Sequence, residues 1–117
     1  MIDRRQDPNW LASQVHVATT RLSEPADAQI AHLESLGSAA IADELALVLN
    51  DVLGAAMAIP ALFTLEQRNA LLAVDRQLES MSGPENDELW TERALRTSVE
   101  WTVVRERAKA APRTLSR

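Results

Sequence analysis

Apolar residues recur three and four positions apart along most of the chain, the spacing that gathers side chains on one face of an α-helix. Leu11, Val15, Ala18 and Leu22 form one stripe, and Ile30 with Leu33 a second. Ala70, Leu71, Val74, Leu78 and Met81 form another, with Arg68, Asp75, Arg76 and Glu79 on the opposite face. No stretch alternates with the period of two expected of a half-buried strand. The fold class expected is therefore all-α. Chain punctuation agrees. Asp7-Pro8 pairs an N-cap with proline at the first helical position, Pro25 opens a second helix, and Gly37 closes it. Ser38 caps a third helix that runs to about Ile59, before Pro60. Thr64 and Gln67 form a capping box for a fourth, which ends near Met81 at Ser82-Gly83-Pro84. A short fifth helix covers about 85–96. Thr97 and Glu100 make a second capping box, for a sixth helix that stops before Pro112. The expectation is a single compact bundle of five to six helices around a central helix at about 38–59. One helical domain spans 7–111, with 1–6 and 112–117 as flexible ends.

The third helix has the broadest apolar arc: Ile41, Leu45, Val48, Leu49, Val52, Leu53, Ala56 and Ile59. That width suits a helix packed by several neighbours. Asp43 and Asn50 stack on its outer face, with Glu44 and Asp51 beside them. The last helix carries two stripes, one of Trp101, Val104, Ala108 and Ala111, the other of Val99, Val103 and Ala110. Leu65 and Leu72 share the outer side of the fourth helix. Either the N-terminal helix folds back over these second surfaces, or they meet another copy of the chain or a different protein.

Composition narrows the function. The 117 residues contain no Cys, which excludes disulfides and thiolate chemistry. The N-terminal MIDRRQDPNW has no apolar run behind its charges, so no signal peptide is expected and the address expected is cytoplasmic. The longest apolar region, 39–63, is broken by Asp43, Glu44, Asn50 and Asp51, which argues against a membrane span. The net charge of −5 is unevenly spread: residues 1–92 hold 5 Arg against 15 Asp and Glu, while 93–117 hold 7 Lys and Arg against 2 Glu. An acidic body repels phosphates, so a nucleic-acid partner is disfavoured. The basic end complements the dipole of a helix C-terminus.

No constellation for catalysis stands out. The two imidazoles, His16 and His32, sit at helix edges without a nucleophile elbow or a metal-binding Glu-x-x-His. Asp43, Glu44 and Asp51 come nearest to a metal cluster, but they point away from the apolar arc and read as a solvated face. Asp87 and Glu88 start a short helix, where acids favour the dipole. Gly37, Gly54 and Gly83 stand alone, without a phosphate cradle. Neither an enzyme nor a cofactor is expected. Of the three Trp, Trp101 reads as core. Trp90 reads as the anchor of a short lid helix, with a partly exposed anchor amid Asp87, Glu88 and Glu92 as the alternative.

Four segments taken together, ADELALVLNDV at 42–52, LFTLEQRNALLAVDRQLESMSG at 62–83, ELWTERAL at 88–95 and EWTVVRERA at 100–108, resemble a group of short bacterial proteins with D-E-L-A-L and L-W-T segments. The resemblance covers about 28–110 and implies one helical domain and a cytoplasmic address. It implies no chemistry and assigns no residue. The function expected from the residues is that of a non-enzymatic interaction protein, in its concrete form an acidic, immunity-type neutraliser of a basic protein. Asp43, Glu44, Asp51, Asp87 and Glu88 would steer the partner, and Trp90 or Leu72 would anchor it. Two alternatives stand beside it: a small-ligand sensor lined by Met57, Phe63, Met81 and Trp101, and a homodimer joined through the last helix.

Overall fold

The computed structural model describes residues 7–37 and 42–115, the last five as backbone only. Seven helical elements are present among them: α1 (Pro8–Ser23), α2 (Ala26–Ser35), α3 (Asp43–Met57), α4 (Leu65–Ser80), a 3-10 helix (Pro84–Trp90), α5 (Glu92–Thr97) and α6 (Val99–Leu115). The all-α expectation holds, and the count exceeds the five to six expected. The difference lies at 85–96. That stretch changes helix type at Thr91, whose hydroxyl accepts from the Ala94 amide and starts α5 afresh. A single 100° wheel drawn across the junction scatters Leu89, Trp90 and Leu95, because the two halves do not share one period.

Several ends follow the sequence. Asp7 accepts from the Asn9 amide ahead of Pro8. Thr64 and Gln67 form both hydrogen bonds of a capping box. Gly37 takes a φ of 120° just beyond α2. Other ends differ. The expected cap Ser38 lies outside the described residues, and α3 runs from Asp43 to Met57 rather than to Ile59. At the start of α6, Ser98 rather than Thr97 accepts from a first-turn amide, that of Trp101. The last helix also continues past Pro112 to Leu115.

Four helices form an incomplete ring. α1 packs extensively on α3 and on α6, and α6 packs extensively on α4. The fourth side, between α3 and α4, is barely in contact. The central helices are thus α1 and α6, not the helix at 38–59. Five residues of the broad arc of α3, Leu45, Leu49, Val52, Leu53 and Ala56, are buried, while Val48 of that arc and Leu47 beside it remain 40% and 45% exposed. One buried cluster joins Leu11, Val15 and Leu22 of α1, Leu71 and Val74 of α4, and Trp101 and Val104 of α6. Phe63, Met81 and Trp101, expected to line a ligand cavity in the alternative reading, are closed into this core. Val99 is 71% exposed and Val103 half-buried, so the second stripe of α6 stays largely uncovered.

A polar bridge ties α2 to the rest. Gln29 is fully buried; its Nε2 donates to the Arg21 and Leu22 carbonyls at the end of α1, and its Oε1 accepts from Arg105 Nε. Arg105 also donates to the Leu95 carbonyl. Burial lowers its pKa, because desolvation disfavours the charged guanidinium. Replacing Gln29 by Leu would leave those carbonyls and the guanidinium short of a partner. It is expected to cost roughly 1–3 kcal/mol in urea unfolding, against about 3–5 kcal/mol for Trp101→Ala, which empties the centre of the core.

Candidate functional site

The open side of the ring is a groove of about 680 Å³. The N-terminal half of α3 forms one wall, the C-terminal half of α4 the other, and the 3-10 helix closes one end. Leu49, Leu78 and Trp90 supply apolar lining, with Ala46 and Leu47 beside them. Asp43, Asp75, Glu79 and Asp87 supply the charge, and among the described residues no Lys or Arg lines the groove. Among the described residues the ion pairs lie elsewhere, as in Arg21–Glu24 and Arg96–Asp27. The carboxylates do not converge either: no described group of three His, Asp or Glu is placed to hold a metal ion. What the arrangement offers is an apolar strip between anionic walls.

The closed end is held by two tryptophans. Trp90 Nε1 donates to the Met81 carbonyl at 2.8 Å, and Trp101 Nε1 donates to the Leu89 carbonyl at 2.5 Å. The two rings meet edge to face, with centroids 5.4 Å apart and planes at 87°, an arrangement worth about 0.5–1.5 kcal/mol beyond burial. Trp101 is fully buried and Trp90 half-buried. Trp90 therefore anchors the lid and presents its remaining surface to the groove.

The same contacts finish α4. A helix leaves its last carbonyls without intrahelical donors. Here Ser82 Oγ donates to the Leu78 carbonyl, Asn86 Nδ2 to the Ser82 carbonyl at 2.9 Å, and Trp90 to that of Met81. No cation stands in the last turn of α4, so the negative end of its dipole adds to the charge of the groove. Gly83 makes the turn possible. Its φ of 105° and ψ of 153° suit glycine alone, and a Cβ there would stand 2.7 Å from a Glu85 carboxylate oxygen.

Three of the expected site residues, Asp43, Asp87 and Trp90, come together here. Asp51 does not: it lies across α3, in a shallow depression of about 220 Å³ with Trp10, Gln14 and Val48. Glu44 and Glu88 are exposed and line neither hollow, and Leu72 is half-buried on α4 and lines neither. The sequence reading missed Asp75, Glu79, Leu47 and Asn50 as partners in one site. Their spacing held a signal. Asp75 and Glu79 fall on one face of α4, with Ser82 just beyond its end, as Asp43, Leu47 and Asn50 fall on one face of α3. Which two faces oppose each other is decided by tertiary packing.

Comparison with protein-family models, with curated proteins and with solved structures returned no match. No helix of the described residues is long and apolar enough to cross a membrane.

Gly83→Ala is expected to cost roughly 1–3 kcal/mol in chemical denaturation. Trp90→Phe, which keeps an aromatic ring but loses the donor to Met81, is expected to cost about 1 kcal/mol. Chemical shifts at Met81 and Ser82 should report the loosened α4 end in both variants.

Proposed function

We propose that the protein is a non-enzymatic interaction protein whose α3–α4 groove takes a cationic segment of another protein. The observation that carries this reading is the lining itself: an apolar strip with a half-buried tryptophan, bordered by four carboxylates and, among the described residues, by no cation. A buried aromatic anchor with a charged rim is the usual anatomy of a protein-binding hot spot. The anionic field raises the encounter rate with a basic partner and disfavours acidic ones. In its concrete form, an immunity-type neutraliser, the protein would mask the cationic surface with which a basic partner acts. A cytoplasmic address belongs to the same reading.

Two double charge reversals separate the groove from general acidity. They remove equal charge, but only one pair lines the groove. Asp43→Lys with Asp87→Lys should abolish low-salt capture of basic proteins from a lysate of the source cells. Glu44→Lys with Glu88→Lys, two exposed residues outside the groove, should leave capture within about twofold, as expected of screened rim charges. Equal retention by both variants would refute the assignment to the groove.

A further inference from the structure

Building on the reading of the groove as a cationic-segment site, we infer that its occupant is an amphipathic α-helix of a different protein, with an apolar stripe flanked on both sides by Lys or Arg. The walls dictate the helical form. Both are α-helices, so their backbone N–H and C=O groups are already paired along most of their length. The carbonyls at the end of α4, which could have served an incoming chain, accept from Ser82, Asn86 and Trp90. An extended segment would therefore lay its own backbone groups over Leu49, Leu78 and Trp90 with little to bond them. Of the lining residues, Asn50, Ser82 and Trp90 alone carry uncharged polar groups on their side chains, and the Ser82 hydroxyl and the Trp90 indole N–H are already engaged. A helix brings its backbone bonds with it and offers side chains only, the mode in which helical grooves bind helices.

The charges set the pattern. Asp43 stands on the α3 wall, Asp75 and Glu79 on the α4 wall, and Asp87 at the closed end. Cations on one flank of the occupant would leave the other wall unpaired, so both flanks must carry them. From Asp43 to Asn50 the α3 wall spans eight residues, about 10 Å along the axis. That length accommodates two turns of a partner, with anchors at i, i+3 or i+4, and i+7.

A second copy of this chain fits poorly. The most basic of its described helices is α6, and the uncovered stripe there is Val99, Val103 and Ala110. Glu106 falls within that stripe, three residues after Val103 and four before Ala110. Docking α6 would carry this carboxylate, held only in an exposed ion pair with Lys109 at 3.4 Å, into a groove of carboxylates.

The test uses the full chain and three labelled peptides of about 18 residues, long enough for five turns. One has a leucine stripe flanked on both sides by lysine. The second has the same composition in an order without a stripe, and the third keeps the stripe but carries two central prolines. Binding is read by fluorescence anisotropy, and location by amide and indole chemical shifts. The striped peptide should bind with shifts confined to α3, the end of α4 and the Trp90 indole. The other two should bind at least about tenfold more weakly, the margin a lost helical stripe implies. Asp43→Lys and Glu79→Lys, one on each wall and each checked for unchanged circular dichroism, should each weaken the striped peptide several-fold. Equal binding of all three peptides in the groove would overturn the helical occupant while leaving the cationic-segment reading in place. No binding by any of them at low salt would overturn both. Self-association of the chain without peptide, reversed by the same Lys substitutions, would replace the foreign helix by a second copy.

Discussion

A helix that turns carboxylates toward its neighbour cannot close on that neighbour without stripping water from like charges, and this constraint shapes the α3–α4 side of the molecule. Asp43 on α3 and Asp75 and Glu79 on α4 line the same groove with no cation among them. Desolvating such groups unpaired is strongly unfavourable, which accounts for walls that stay apart. The other three sides of the ring, α3 on α1, α1 on α6 and α6 on α4, bring aliphatic and aromatic faces together and do close. The groove thus follows from the same rules that build the core, applied to faces of the wrong polarity for packing.

An open side must be supported, and the support comes from the segment after α4. Gly83 turns the chain, the 3-10 helix crosses the end of the groove, and Trp90 and Trp101 fasten it from two directions. The indole N–H groups serve a second purpose, since one of them satisfies a carbonyl at the C-terminus of α4. Core packing, helix termination and the end wall of the groove therefore share one small set of residues. Such sharing ties the end wall of the groove directly to the core.

At the far side of α1 and α6 the structure uses a different device. Gln29 and Arg105 are drawn inward to bond carbonyls at the ends of α1 and α5. Helix ends brought into the interior must find donors, and a long polar side chain reaches where a backbone cannot. This accounts for a buried glutamine within an otherwise apolar face of α2.

The sequence by itself determined the helices and most of their inward faces. Spacing of three and four identified Leu11, Val15, Ala18 and Leu22, and likewise Leu71, Val74 and Leu78, because burial of a helical stripe is a local pattern. Caps at Asp7 and at Thr64 with Gln67 were legible for the same reason: donor and acceptor lie within one turn. The split at Thr91 was not, since hydrogen-bond type leaves little trace in an apolar pattern. The middle of the bundle was also misjudged. Val48 and Leu47 are as apolar as their buried neighbours on α3, and only the absence of a covering helix leaves them exposed. The site was legible in pieces: Asp43, Asp87 and Trp90 stood out one by one, whereas Asp75 and Glu79 read as an ordinary solvated face. Tertiary structure alone decided that these two carboxylates face Asp43 across a gap and that Asp51 lies on the far side of α3. A sequence records which face of a helix is polar. Which polar faces oppose each other depends on how the apolar faces pair, and that is settled by the whole core at once.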